Sequence, residues 1–562
     1  MSRDEASLGV LMEQGPARDA ASAVSATGTP IARNAPTASF GISIHKLMTL
    51  NRATLPSFHL TERREWRWIF SALMLTLVAT SASGQRVTGP DTVALVGGTV
   101  IDVVSGSRMG RSTVVFAGDR IIGVGATGLT RPPQGARVVN VRGKFIIPGL
   151  WDMHVEQALP LWDRAPVDSN AGFFHPLFLA YGVTGVRDVA GPLAVLKRWS
   201  AETERGARIG PRLVYTGPKI GMGPVAPGAP FPITNEADLA RSLALLKEGG
   251  ASGAYILELD KALYPALMRG AKAVALRVEG NIPYTTTLWA ASANGQRAVD
   301  HLDALLPSSS PDEGSIRRAQ RLADEKPWWA RLAWRVGAMR PPQDAPTLPL
   351  ESWSAARADS LFVHLAANHT YQVPTLRLLG TVNRSADSAI RLPPPPLELR
   401  APRHPSDGWP SAPYPSSHPM ARMHDKLVWS VGAMHRAGVP ILAGSDTPNL
   451  YAAPGLSLHD ELALLVRAGL SPLDALRSAT LRPAEFLGAT DTLGTVGVGK
   501  VADMVILDAD PTVNIAASRQ IAYVVARGRV YSRAALDSLR ARGVAMAAEI
   551  ARYWVAKRGA EK

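Results

Sequence analysis

Residues 148–156 read Pro-Gly-Leu-Trp-Asp-Met-His-Val-Glu, and the rest of the chain is organised around them. They follow the apolar-rich run Val-Val-Asn-Val-Arg-Gly-Lys-Phe-Ile-Ile at 138–147, which reads as strand, breaks at Pro148-Gly149 and resumes. In extended chain, residues two apart point the same way, so His154 and Glu156 share one face. An imidazole beside a carboxylate on a rigid strand makes half of a divalent-metal site. Such a pair alone is more often structural, so its context must decide.

Working outward, the 562 residues suffice for a large barrel-sized domain and a second, smaller one. The chain has no cysteine, which excludes disulfides, Cys-ligated zinc and thiolate catalysis and is compatible with an oxidising compartment. The net charge is +14, yet Lys and Arg are scattered with neither a run of five nor aromatic interleaving. That pattern reads as a solvated surface, not a nucleic-acid footprint. Residues 1–68 are rich in Ala, Ser, Thr and Pro and read as disordered, or as a product of too early a start, with Met48 as a later one. A basic flank (Arg63, Arg64, Arg67), an apolar run at 69–80 and the small residues Ser81-Ala82-Ser83-Gly84 then match a signal peptide at 69–84. The run is shorter than the ~20 residues of a membrane span. Cleavage after Gly84 would leave Gln85 first and export the protein to a periplasmic or extracellular space.

Short β-branched runs punctuated by Gly occupy 93–102 and 112–125, and similar runs return at 493–508 and 521–531. Between them apolar strand-like runs alternate with helical periods, the signature of βα units. The expected strands lie at 148–156, 181–190, 210–217, 254–259, near 281–283, 298–301, 370–375 and 440–446. The clearest helix spans 458–469, with i, i+3, i+4 apolar spacing and a Gly stop. An insertion at 380–425 holds Leu-Pro-Pro-Pro-Pro-Leu and further prolines, and can be neither regular helix nor central strand.

These segments resemble the amidohydrolase superfamily, in its imidazolonepropionase- and prolidase-like branch. Pro-Gly-Leu-Trp-Asp-Met-His-Val-Glu is similar to that family's Pro-Gly-Leu-Ile-Asp-x-His-x-His, with Glu156 in place of its second histidine. The run Gly-Gln-Arg-Ala-Val-Asp-His-Leu at 295–302, Gly-Val-Pro-Ile-Leu-Ala-Gly-Ser-Asp at 438–446 and Gly-Val-Gly-Lys-Val-Ala-Asp-Met-Val at 497–505 also match the family. The resemblance implies an α/β fold: a (β/α)8 TIM barrel at 149–488 carrying the 380–425 insertion. A small β-sandwich would be built from both chain ends, 92–148 and 489–535.

It also implies a site. His154, Glu156 and Asp446 would hold one divalent ion, zinc or else manganese or iron, with Asp446 doubling as general base on an activated water and His301 beside the substrate oxyanion. No lysine stands on the fourth strand, where the family has one. Glu258 is the nearest carboxylate, and Asn281 replaces the fifth-strand histidine. These two are possible remnants of a second metal position. His435 and His459 fall in helical contexts, and His404, His418 and His424 lie in or beside the Pro-rich insertion. All five read as structural or surface residues. The implied activity is hydrolysis of a carbon–nitrogen bond in a small cyclic amide or dipeptide-like substrate. The alternative is a barrel that has lost its metal, and with it catalysis, and serves as a binding or scaffolding protein. Neither a nucleic-acid partner nor a stable membrane span is expected, and the sequence leaves the oligomeric state open.

Overall fold

The computed structural model describes residues 92–159, 167–221, 233–324, 348–378, 396–400, 419–448 and 452–560. The N-terminal extension, the expected signal peptide and most of the 380–425 insertion lie outside the described residues. Strands β1 (Thr92–Ile101), β2 (Arg108–Ala117), β3 (Arg120–Ala126), β4 (Arg137–Asn140) and β5 (Phe145–Pro148) come from the N-terminal side. They join the C-terminal strands in one eight-stranded sheet. Its key pairing sets β5 antiparallel to the C-terminal run Met504–Leu507, with Met504 opposite Pro148 and Leu507 opposite Phe145.

Side chains alternate across this sheet. Ile146, Met504 and Ile506 join Val93, Leu95 and Phe116 in one apolar cluster. Ile147, Val505 and Leu507 face the main core. Both faces are covered, which is why these runs are apolar at consecutive positions. Strands from the two ends meet here, and among the described residues they form a single sheet, not the two facing sheets of the expected sandwich. The reason is that β5 bonds β1 on one edge and the C-terminal run on the other, so no seam is left between separate sheets.

The interior strands are parallel. β6 (Leu150–Val155), β7 (Val183–Asp188) and β8 (Arg212–Tyr215) form one sheet. β9 (Gly253–Ile256), β10 (Arg277–Gly280), β11 (Ala298–Asp300) and β12 (Tyr371–Val373) form another. The fifth expected strand sits a few residues earlier than read, so that Asn281 falls just past its end. No named strand covers the eighth expected position. Instead Ile441 forms a parallel bridge to Gln372, and Thr447 one to Val155, while Ile220 bridges Ile256 between the two sheets.

Helices alternate with these strands. Leu456–Arg467, two residues ahead of the expected span, buries Leu458, Leu462, Leu464 and Leu465. The helix Arg533–Ala560 was not foreseen. Leu536, Leu539, Ala547 and Ile550 bury its inner side. Gly543 lets it approach the helix Val167–Ala180 so closely that a Cβ there would meet Leu177 Cγ at 2.6 Å.

Candidate metal centre

β6 delivers His154 fully buried, and its two ring nitrogens have different surroundings. Nδ1 lies 3.0 Å from Asp300 Oδ2, at the end of β11. Asp300 in turn accepts two bonds from Arg187 on β7, at 2.8 and 2.6 Å, while Arg187 Nε donates to Met153 O at 2.6 Å. The same guanidinium pairs with Glu279 on β10. One buried arginine thus ties β6, β7, β10 and β11 together and points a carboxylate at the imidazole. A carboxylate on Nδ1 sets the tautomer and leaves Nε2 free as a ligand.

Nε2 is buried without a hydrogen-bond partner. Asp446 Oδ1 is 3.2 Å away and Glu156 Oε1 3.9 Å. The His301 ring lies with its centroid 4.8 Å from that of His154, and its Nδ1 is 2.8 Å from Thr375 Oγ1. One ligand atom each from His154, His301 and Asp446 lie within 4.8 Å of one another. His301 and Thr375, just beyond β11 and β12, and Asp446, in the bridged segment beside them, all hold left-handed backbone (φ 65°, 47° and 55°). Such conformations cost of order 1–3 kcal/mol each and cluster where side chains must be aimed.

The electrostatics favour positive charge at Nε2. Burial alone would depress the His154 imidazole, but the charge of Asp446, the bond to Asp300 and the nearness of the Asp446 and Glu156 carboxylates outweigh it and hold its pKa well above the ordinary value. A field that retains a proton there equally favours a cation in its place. An unpartnered buried nitrogen, a second imidazole and a carboxylate fit a divalent ion of the zinc, manganese or iron kind.

Glu156 shares the face of His154, with Oε1 3.9 Å from Nε2, and its carboxylate pairs with the Lys219 ammonium, while the ligand-distance group comprises His154, His301 and Asp446. Burial would raise the Glu156 pKa, yet the charge of Lys219 and then His154 keep it well below the carboxylate range. His301, expected only beside the substrate, belongs to the ligand-distance group. The two expected second-site remnants are engaged in other contacts. Glu258 accepts the backbone N–H of Tyr284 at 2.9 Å, and Asn281 accepts the Tyr255 hydroxyl at 3.1 Å. His459 is structural as expected, bonded to Ser518 and the Tyr181 carbonyl and held neutral by burial at a pKa of about 4.

Sequence reasoning missed Lys219, Arg187, Asp300, Glu279 and Thr375. Only Asp300 carried a local signal, lying beside His301. The others acquire meaning through contacts across strands.

The parallel strands and this centre define an α/β protein with a histidine–carboxylate group beyond its strand ends. The profile of the amidohydrolase family matches residues 430–531. A relative described as "Probable imidazolonepropionase" from Nematostella vectensis is 41% identical over 80 residues, 14% of this chain; the chain spans 18% of that relative's length. A bottromycin amidohydrolase structure superposes with a TM-score of 0.61 at 20% identity, covering 82% of this chain and 91% of that one. A Xaa-Pro dipeptidase with bound methionine gives 0.56 at 18% identity, covering 78% and 100%. Residues 430–531 thus match the amidohydrolase family, and the fold as a whole is similar to that of amidohydrolase and dipeptidase structures.

Proposed function

We propose that this protein hydrolyses a carbon–nitrogen bond in a small cyclic amide or dipeptide-like substrate, with one divalent ion held by His154, His301 and Asp446. The observation that carries the proposal is the buried, unpartnered His154 Nε2 facing Asp446 and His301. The parallel strands are read as one closed eight-membered barrel, supported by the bridges 220–256, 372–441 and 155–447. Helices of the described residues offer no span long and apolar enough to cross a membrane. The signal-like segment at 69–84 supports export.

When bound, the ion would acidify water and polarise the scissile carbonyl. The remaining tasks fall to this chain's own groups. Asp300 holds a proton on His154 Nδ1 and keeps Nε2 turned inward. Asp446, its Oδ1 3.2 Å from His154 Nε2, would accept a proton from the attacking water. Thr375 orients His301 through Nδ1, leaving its other nitrogen for the ion or for the substrate oxygen. Glu156 is a poor proton acceptor while Lys219 holds it ionised.

The test assays acyl-dipeptides, cyclic imides and lactams with added Zn²⁺ or Mn²⁺, comparing wild type with Asp446→Asn. Losing a general base costs about 10² to 10⁴-fold in rate, and the folded variant should show at least that loss. A wild type that turns over substrate while Asp446→Asn keeps the full rate would refute the site. A metal-loaded wild type inert across the panel would favour a binding protein.

A further inference from the structure

We propose that Lys219 is a built-in cation of this centre, whose ammonium occupies Glu156 and thereby limits the pocket to one divalent ion. The inference rests on the metal reading above and extends it to a residue outside the ligand group.

Lys219 is not on a loose loop. Next to it, Ile220 N donates to Tyr255 O at 2.6 Å and Ile220 O accepts from Leu257 N at 2.8 Å, stitching this segment onto β9. From that fixed backbone the side chain reaches inward, 16% exposed, to pair with Glu156, itself 8% exposed. Its ammonium also lies 5.0 Å from the centroid of the Tyr255 ring, which stands nearly perpendicular to the His154 ring with centroids 6.1 Å apart. Burying an ammonium is costly unless the surrounding charge compensates. Here it does: against the opposing effect of burial, Glu156 and then Asp446 and Asp300 raise the Lys219 pKa, so the group stays charged.

The charges form one connected chain. Glu279 and Asp300 flank Arg187, Asp300 meets His154, His154 meets Asp446 and Glu156, and Glu156 meets Lys219. With His154 neutral, four carboxylates against two cations leave a formal charge of minus two, which one divalent ion balances. Without Lys219 the balance becomes minus three, and Glu156 is released 3.9 Å from His154 Nε2 as a further oxygen ligand. Lys219 therefore opposes tight or additional metal binding, and the tightness of the centre should follow the local charge.

The experiment uses the purified full-length chain stripped with a chelator. It reads zinc affinity by competition with a chromophoric chelator and retained equivalents by elemental analysis after dialysis. Wild type should retain one equivalent. Lys219→Met should bind zinc about tenfold more tightly or better, and Glu156→Gln about tenfold more weakly, as expected for removing one charge beside a divalent ion at low dielectric. Lys219→Met with Glu156→Gln should return to within about threefold of wild type, since the charge of minus two is restored. Lys219→Arg keeps the charge and should behave as wild type. Should Lys219→Met fail to fold, the double variant and Glu156→Gln decide by the same comparison. Two equivalents retained by wild type, or unchanged affinity in folded Lys219→Met, would overturn the role of Lys219 and leave the metal reading standing. A folded wild type that takes up no zinc would remove the metal reading itself.

Discussion

His154 gains its chemistry from Asp300, which sits between a fixed guanidinium and the imidazole. Burial would raise the Asp300 pKa, but Arg187 and His154 keep it well below the usual carboxylate range, so it is a permanent anion. Asp300→Asn preserves the shape and removes the charge. Arg187 then faces Glu279 alone, and breaking one arm of a buried pair typically costs about 3–5 kcal/mol. Losing the carboxylate behind a ligating histidine lowers metal affinity about 10- to 100-fold. Denaturant unfolding and zinc competition on the same variant check both effects. If neither moves, Asp300 does not orient His154.

The segment at 440–447 shows how little regular pairing an element needs to place the Asp446 carboxylate beside His154. It is held by backbone bonds from Met153 N to Ala443 O and from Asp446 N to His154 O, both 2.9 Å. Gly444 makes this approach possible, since a Cβ there would lie 2.6 Å from Val373 Cγ1 and 2.8 Å from His154 Cβ. Gly444→Ala should push the segment away from β6, destabilising by about 1–3 kcal/mol and weakening zinc binding by separating Asp446 from His154. Gly314→Ala, where a Cβ meets nothing within 4 Å, should leave both unchanged. Equal behaviour of the two variants in thermal melts and metal titrations would show that the close approach is unimportant.

At the scale of the whole molecule, buried carboxyls couple stability to pH. Burial pushes Glu461 up to about 8, although it accepts the backbone N–H groups of Leu376 and Arg377 at 3.0 and 2.7 Å. Burial likewise pushes Asp152 up to about 6 against its bonds to Ser445. A carboxyl whose pKa is higher when folded binds more protons in the folded state. Its contribution is therefore full below the unfolded value, about 4.3 for Glu, and is lost as pH rises through the folded one. Between pH ~4.5 and 8, Glu461 should add a downward slope of at most ~1.4 kcal/mol per pH unit. Glu461→Gln should flatten that slope, measured by denaturant midpoints across the range. A slope unchanged in the variant would show that Glu461 does not titrate there.

The α/β order is legible along the chain, because apolar periods of two and of 3.6 are local properties that any reader can count. Pro-Gly-Leu-Trp-Asp-Met-His opens the interior strands, and His154, His301 and Asp446, which the fold brings together, each stand in a motif a few residues long that is legible in the chain. The sequence did not show the helix at 533–560, whose apolar positions become a face only once Val167–Ala180 is beside it. Nor could it assign Glu156. Spacing placed that carboxylate correctly on the face of His154, but which cation takes it depends on Lys219, 63 residues further along. The same holds for Arg187, Glu279 and Asp300, whose opposite charges could be buried only because β7, β10 and β11 bring them within hydrogen-bonding distance. Local pattern decides which residues lie on a strand and which way they face. Only the packing of strands distant in sequence decides which charges meet out of water, where a single partner outweighs any propensity.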